Sequence, residues 1–305
     1  MSMKAVRWSV GALALLLILL SAAYYWLLID NRMPAGRFDL DIAAIRHAAA
    51  GFPGAAPTAI EVETVSHTMV PHIAMVPGTD WSRIDTPRNA YQVVFPDRTL
   101  IIDTGWDAAT AHSEKVDSFD AAAYARVAKA MRAAAIIVVT HEHGDHLGGL
   151  LTSPDYRTLL PKALITREQF DSPKVKPLVW PGDSRTWVHP LDYDKYHAIA
   201  PGVVLIKAPG HTPGSQLIYV RRADGRECLF VGDVASEAEH ISLQRSRSRL
   251  VDDFMVGSDR HAVLLQIAAL HRLQEAEPAI AMVPGHDAAA IANFERAGLL
   301  TRGFH

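Results

Sequence analysis

The amino-acid sequence predicts an α/β (α+β) fold, in which helices and β-strands mix along the whole chain. Apolar runs and alternations typical of strands occur in both halves, and longer amphipathic stretches typical of helices lie between them. The 305 residues are 49% hydrophobic and 21% charged, which suits one large or two small domains with a full core. The formal net charge of −3 gives no overall basic field, so no nucleic-acid partner is expected.

The chain begins with a segment that could cross a membrane. Residues 8–28 carry no charge, and these 21 residues are enough to span a bilayer as a helix. Lys4 and Arg7 precede the segment, which predicts that the N-terminus stays inside and that the remainder is exported. A signal peptide cleaved near the small residues 21–23, which would leave a secreted protein, is the alternative. Because the apolar run continues beyond that point, residues 1–30 are predicted to be an uncleaved anchor.

The remaining chain divides into a linker and a globular domain. Residues 31–58 are predicted to be a linker with a short amphipathic helix, and residues 59–305 the domain. Helices are predicted at 120–134 and 259–277. Strands are predicted at 59–66, within 90–105 on either side of Pro96-Asp97, at 135–140, at 202–211, in a hairpin at 215–233 and at 279–286. The single cysteine, Cys228, allows no internal disulfide, and its apolar neighbours predict a buried thiol.

Titratable side chains gather where the predicted strands end. The stretch "VVTHEHGDHLGG", residues 138–149, places four of them directly after a buried strand: His141, His143, Asp145 and His146. The same position after other strands is taken by Asp103, His211, Asp233 and His286. Strand ends that meet at one edge of a sheet would bring these side chains into one site.

The spacing within the first group predicts two neighbouring metal sites. His141 and His143 are two positions apart and point the same way in an extended segment, whereas Asp145 and His146 point into an adjoining space. Imidazole and carboxylate groups suit zinc, with iron or manganese possible. Glu142, at an intervening position, is predicted to support a ligand or to face solvent.

The motifs "THEHGDHLGG", "PGHTPGS", "VGD" and "PGH", in this order, resemble those of the metallo-β-lactamase-fold hydrolase superfamily over residues 59–290. The resemblance implies an αββα sandwich, in which two β-sheets pack face to face with helices outside, and a dinuclear metal centre between the sheet edges. It implies that the first metal is held by His141, His143 and His211. It implies that the second is held by Asp145, His146 and His286, with Asp233 bridging both. Asp103 would then support the ligand loop from behind.

The same resemblance implies hydrolysis of a carboxylic ester or lactone by a hydroxide that bridges two Zn²⁺ ions, with Asp145 also serving as the catalytic proton shuttle. Asp233 argues against a true β-lactamase, which typically carries Cys or Ser at this position. The 19 residues after His286 do not match the helical C-terminal domain of thioesterases that resemble glyoxalase II. The chain is thus most like single-domain lactonases and esterases, and a small-molecule substrate is expected. A phosphodiesterase or another hydrolase of the superfamily is the alternative, followed by a non-catalytic metal-binding protein.

Two further stretches bear on the substrate. Residues 179–198 are aromatic and predict either a pocket wall for an apolar acyl or aromatic group, or simple packing of this loop on the sandwich. Their aromatic side chains are Trp180, Trp187, Tyr193 and Tyr196. In residues 239–255, Arg245, Arg247 and Arg249 are spaced by two, which predicts a solvated face, with contact to an anionic substrate or to lipid head groups as the alternative.

Overall fold

The computed structural model describes residues 3–305, with side chains from residue 7 onward. Its helices are α1 (Met3–Leu28), α2 (Ile42–Gly51), α3 (His72–Met75), α4 (Ala108–Ser113), α5 (Ala121–Ala133), α6 (Gly144–Leu151), α7 (Tyr156–Leu159), α8 (Arg167–Asp171), α9 (Ala238–Leu243), α10 (Arg249–Val251), α11 (Arg260–Ala276) and α12 (Ala288–Arg296). Short 3₁₀ turns occupy Leu160–Lys162, Pro173–Val175, Ser184–Thr186 and Asp233–Ala235, and a π-helical turn occupies Asp252–Val256.

The strands form two separate mixed sheets. They are β1 (Ala59–Pro71), β2 (Arg83–Val94), β3 (Thr99–Ile102), β4 (Ser118–Phe119), β5 (Ile136–Val138), β6 (Tyr196–Ala200), β7 (Val203–Lys207), β8 (Gln216–Arg221), β9 (Glu227–Gly232), β10 (Ile280–Pro284) and β11 (Thr301–Arg302). The first sheet has the order β11-β1-β2-β3-β5, with β4 paired to β1, and the second has the order β10-β9-β8-β7-β6. The predicted hairpin is the antiparallel pair β8–β9, and β3 runs parallel to β5.

The two sheets pack face to face over one hydrophobic core. Val62 and Tyr91 of the first sheet and Val220 and Phe230 of the second lie in this core, together with the buried Cys228. The rings of Tyr91 and Phe230 meet edge to face, with centroids 4.8 Å apart. Because apolar side chains cover both inner faces, the sheets stack as in a β-sandwich.

Helices cover the outer face of each sheet. Val127 of α5 and Leu147 of α6 pack under the first sheet, while Ile267 of α11 packs under the second. Aspartate side chains accept hydrogen bonds from the first-turn amides of several of the helices and so fix where these begin. These caps are Asp41 for α2, Asp107 for α4, Asp120 for α5, Asp259 for α11 and Asp287 for α12. The layer order helix–sheet–sheet–helix confirms the expected αββα sandwich.

The segment expected to be a linker lies against the second sheet. Its short helix, α2, buries Ile45 completely in the core outside that sheet. Arg46 of the same helix pairs with Glu227 at 2.6 Å and with Glu277 at 3.0 Å. Residues 42–51 therefore pack as part of the globular body, a placement that the polar and Gly/Pro-rich sequence on either side of α2 did not indicate.

Helix α1 stands apart from the sandwich except at its C-terminal end. By length and composition Arg7–Leu28 could span a membrane, and none of the most apolar window within it is buried. At its end Leu28 is buried, and the Asp30 carboxylate that follows lies 3.2 Å from Arg249. The side chain of Lys4, part of the predicted charge signal, lies outside the described residues.

Candidate metal centre

The loop between β5 and α6 presents the first group of predicted site residues. Asp103, just after β3, has the left-handed φ of 58°, and its carboxylate accepts a 2.6 Å hydrogen bond from the Thr140 amide. This bond fixes the start of the loop. His141 follows within the loop, and His143 takes the N-cap position of α6. The two rings meet edge to face, with centroids 4.8 Å apart.

Three imidazole rings converge on one point. The Nε2 atoms of His141 and His211 each lie 3.0 Å from Nδ1 of His143. Burial, followed by the neighbouring positive charge of His146, lowers the pKa of His141, and burial lowers that of His143 to about 4. Burial and then Arg247 lower the pKa of His211 as well. The three rings are therefore neutral at pH 7, and their nitrogen lone pairs are available to a cation.

A second group lies directly beside the first. His146 Nε2 and His286 Nε2 are 3.3 Å apart, and Asp145 Oδ2 is 3.5 Å from the latter. Burial disfavours the charged form of His146, but Asp103 and Asp145 outweigh it and raise the pKa of His146 to about 9. Burial likewise opposes ionisation of Asp145, yet His146 and Arg88 hold the pKa of Asp145 well below its usual range.

Asp233 lies between the two groups. Its Oδ2 is 3.4 Å from His211 Nε2, whereas its Oδ1 is 2.9 Å from His286 Nε2 and 3.6 Å from His146 Nε2. Gly285 lies against this carboxylate and leaves no room for a side chain, since a Cβ there would meet Asp233 Oδ1 at 2.3 Å. The two oxygens of one carboxylate thus face different groups of imidazoles.

The Nδ1 atoms of two rings contact fixed hydrogen-bond acceptors. His146 Nδ1 lies 2.8 Å from Asp103 Oδ2, and His286 Nδ1 lies 2.8 Å from the Pro87 carbonyl oxygen. Such contacts place a proton on Nδ1 and turn Nε2 of each ring toward the gap. Asp103 therefore lies where the sequence analysis expected it, behind the ligand loop.

Glu142 is buried rather than solvated. Its carboxylate accepts a 2.7 Å hydrogen bond from the Thr212 hydroxyl and one of 3.2 Å from the Gly214 amide. It thereby joins the loop that carries His141 to the loop that carries His211. This is the supporting role that the sequence analysis offered as one of two alternatives.

Arg247 was wrongly expected on a solvated face. It is buried, and its guanidinium donates to Asp233 Oδ2 at 2.8 Å, to the Asp233 carbonyl at 3.1 Å and to the Ser236 hydroxyl. Its Nη1 also lies 3.1 Å from His211 Nδ1. Arg245 and Arg249 turn away, to the Pro77 carbonyl and to Asp30, because the chain bends here and does not keep three alternate side chains on one face.

Arg88 is a second site residue that the sequence analysis did not single out. It projects from β2, and its Nε lies 2.9 Å from Asp145 Oδ2. Its guanidinium also stands 5.4 Å above the ring of Trp106. A single arginine in a strand carries no local pattern, so only the three-dimensional pairing identifies it.

The aromatic residues of 179–198 pack their loop on the sandwich. The ring of Trp180 packs in a tilted arrangement against Phe170 with centroids 4.8 Å apart, and the Tyr193 hydroxyl donates to Gln216 at 2.7 Å. Tyr196 accepts a hydrogen bond from the Asp41 amide. Of the two sequence-based interpretations, these contacts favour packing over a pocket wall.

The donor set fits a pair of metal ions. Three sets of side chains could each hold an ion: His141, His143 and His211; His141, His146 and Asp233; and Asp145, His146 and His286. Asp233 Oδ1 is buried and makes no hydrogen bond of acceptable geometry with the described residues, although His286 Nε2 lies 2.9 Å from it. A cation would stabilise these closely spaced imidazole nitrogens and the buried carboxylate oxygen.

Comparisons with known proteins agree with this fold. The fold resembles an N-acyl homoserine lactone hydrolase with N-hexanoyl-L-homoserine at its catalytic metal center, at TM-score 0.58 and 16% identity, covering 78% of this chain and 96% of that chain. It resembles AidC, a dizinc quorum-quenching lactonase, at TM-score 0.52 and 14% identity over 79% and 92%. It also resembles a probable metal-dependent hydrolase from Staphylococcus aureus at TM-score 0.58 and 16% identity over 77% and 91%.

Among curated proteins, none matches the chain by sequence. The family model of the metallo-beta-lactamase superfamily, in contrast, matches residues 83–286, a range that begins with β2 and ends at the last residue of the metal centre. This range is more than half of the 305 residues and contains every predicted metal ligand. The chain therefore belongs to the metallo-beta-lactamase superfamily.

Proposed function

We propose that this protein is a membrane-anchored, metal-dependent hydrolase that cleaves a carboxylic ester or lactone. Two metal ions, zinc first and iron or manganese as alternatives, would be held by His141, His143, Asp145, His146, His211, Asp233 and His286. The observation that carries the proposal is the convergence of these side chains in two adjoining groups with Asp233 between them. The solved structures of similar fold that are described as lactonases support the choice of reaction.

The chain's own residues have distinct tasks in this reaction. When bound, the two cations would supply a water activated near neutral pH and a Lewis acid for the carbonyl oxygen. The Asp145 carboxylate lies at the partly exposed side of the site. There it can take a proton from the attacking water and pass it to the departing alkoxide as the acyl C–O bond breaks. Arg88 holds the Asp145 carboxylate in place, and Arg247 does the same for Asp233.

The proposed reaction is tested on full-length protein in detergent, loaded with zinc. We expect close to two metal ions per chain by elemental analysis, and turnover of acyl lactones or simple esters that a chelator abolishes and zinc restores. β-Lactams and phosphodiesters are assayed beside them. Turnover of phosphodiesters without any ester or lactone would replace this proposal by the phosphodiesterase alternative, and less than half a metal ion per chain would refute the dinuclear centre.

Variants assign the two metal positions. His286→Ala should remove metal mainly from the second group, and His211→Ala mainly from the first, so each should retain about one ion per chain. His112→Ala provides the matched control, since this histidine is exposed and far along the chain from every predicted ligand. Equal metal content in all three variants would contradict the assignment.

The membrane part of the proposal rests on α1. The span Arg7–Leu28 has 22 residues, and at 1.5 Å per residue it covers about 33 Å, close to the hydrocarbon thickness of a bilayer. We expect a C-terminal reporter that is active only outside the cytoplasm to be active on this protein, and the full-length chain to stay in the membrane fraction. An exported soluble form that starts near Tyr24 would favour signal-peptide cleavage, and full-length soluble cytosolic protein would refute both.

A further inference from the structure

The exposed apolar side chains of this protein are concentrated at one place. Outside α1, the large apolar residues exposed in the described chain are Met33, Trp81, Val179, Leu243, Leu250, Phe254 and Met255. All except Val179 belong to segments that contact the residues at the end of α1. Gly78, in the loop of Trp81, donates to the Leu28 carbonyl, and Asn31 donates to the Gln244 carbonyl. Single exposed apolar residues are ordinary, but a cluster marks an interaction surface.

The end of α1 is fixed to this cluster by specific contacts. Trp26 meets the ring of Phe254 edge to face, with centroids 6.1 Å apart, and the Arg249 guanidinium stands 5.4 Å from the Trp26 ring. Asp30 pairs with Arg249, while Arg260 donates to the Asp30 carbonyl at 3.0 Å. Phe254 therefore lies level with Trp26, which belongs to the last turn of α1.

A second loop extends the surface toward the metal centre. Lys174 donates to the Gly257 carbonyl at 3.1 Å, which joins the loop of residues 173–179 to the π-helical turn Asp252–Val256. In that loop Val179 is 75% exposed. The neighbouring Leu178 side chain covers Gly144 and lies 3.5 Å from the point where a Cβ of residue 144 would stand. Gly144 lies between His143 and Asp145 on the partly exposed side of the site.

We infer that the surface formed by residues 243–256 and 173–179, called here the seating face, lies in the interfacial layer of the membrane that α1 crosses. Phe254, at 64% exposure, and Met255, at 74%, would enter the boundary between head groups and acyl chains, as the apolar face of an interfacial helix does. Arg249 and Lys174 would remain at head-group level. This inference rests on the proposed membrane anchor.

The seating face also determines how a substrate would reach the site. The segment that carries Phe254 also carries Arg247, which contacts Asp233, and Ser258 just beyond it lies 3.4 Å from His211 Nδ1. Gly144, which is partly exposed and adjacent to Asp145, contacts Leu178 of the same face, so the metal centre would open at the bilayer surface. The matching substrate class is an amphiphilic ester or lactone whose acyl chain is dissolved in the membrane while its polar head reaches the site.

Lipid quenching tests the seating face without relying on activity. Full-length Met255→Cys protein, labelled with bimane, is placed in vesicles of phosphatidylcholine and phosphatidylglycerol that contain an acyl-chain nitroxide lipid. We expect a loss of about half or more of the fluorescence, because an interfacial side chain lies roughly 5–10 Å deep. Cys228 does not compete for the label, because it is buried and burial raises the pKa of its thiol to about 12.

Ala223→Cys is the matched control. It is an exposed position in the β8–β9 turn, and β9 runs for six residues from this turn to the site, about 20 Å away. Its label should keep its fluorescence in the same vesicles. Equal fluorescence of the two labels would overturn the inference. A label at position 255 that is shielded from water but not quenched would also overturn it, because a second copy or another protein on this face would produce that result.

A kinetic measurement separates this inference from the proposed reaction. In Phe254→Ser/Met255→Ser protein, we expect KM for a long-chain acyl ester presented in vesicles to rise about tenfold, and KM for a short soluble ester to change less than about twofold. Equal changes for both esters would overturn the inference. Quenching at Met255 without any ester or lactone turnover would contradict the reaction alone, and turnover without quenching would contradict the seating face alone.

Discussion

We expect Asp145→Asn to lower kcat for ester or lactone hydrolysis by about 10²–10⁴-fold, which is the usual effect of removing general acid–base catalysis. Asparagine keeps the shape of the side chain and one oxygen that can face a metal. It cannot carry the proton that the departing alkoxide needs. The loss should therefore exceed what the measured metal content of the variant explains.

The leaving group identifies the origin of the defect. A p-nitrophenyl ester releases p-nitrophenolate, a stable anion that needs little protonation, whereas an alkyl ester or lactone releases a strongly basic alkoxide. The Asp145→Asn defect should thus be large for the alkyl ester and much smaller for the nitrophenyl ester at equal metal content. Asp192→Asn, a change at an exposed carboxylate, is the control. A defect of the same size for both esters would assign Asp145 to metal binding alone.

The metal ligands that the sequence predicts all belong to short local motifs at the ends of strands. The loop from His141 to His146 follows a buried strand, and glycines stand beside Asp233 and His286, so strand ends and turn chemistry place all of them at one edge. The αββα arrangement followed from the same motifs by resemblance. Sequence reasoning succeeds here because each ligand is positioned by the few residues next to it.

Residues positioned by distant partners left no such pattern. Arg88 lies in β2 and is defined by Asp145, which is 57 positions away in the sequence. Likewise the sequence predicts α2 as part of a linker, because the partners that hold Arg46, Glu227 and Glu277, lie far along the chain. Such residues are held in place by tertiary ion pairs and packing, which composition and periodicity do not encode.

Arg247 is a buried cation that pairs with one of the predicted metal ligands, Asp233. Its guanidinium contacts Asp233, and the Asp252 carboxylate lies 3.9 Å from its Nη1. Burial, opposed first by Arg247, raises the pKa of Asp252, while His286 and Arg247 overcome burial to hold the pKa of Asp233 well below its usual range. Arg247 is thus a principal balancing charge for Asp233 when no metal is bound.

We therefore expect Arg247→Met to destabilise the chelator-treated protein by roughly 3–5 kcal/mol, the usual cost of removing one partner from a buried ion pair. Methionine fills similar volume but leaves Asp233 without this positive partner. Zinc would neutralise Asp233 in the loaded protein, so the same substitution should cost clearly less there, and the variant should gain more stability from zinc than the unaltered protein does. Denaturant unfolding of both proteins, with chelator and with zinc, measures the two differences.

The control for this prediction is Arg157→Met, which removes an exposed arginine paired with Asp183 at 3.0 Å. Exposed ion pairs contribute little to stability, so this variant should unfold at nearly the same denaturant concentration as the unaltered protein, with or without zinc. If Arg247→Met destabilised the chelator-treated and the zinc-loaded protein equally, Arg247 would be a structural residue that is independent of the metal centre. A larger cost in the chelator-treated protein alone would show that Arg247 and the metal ions stabilise the same carboxylate.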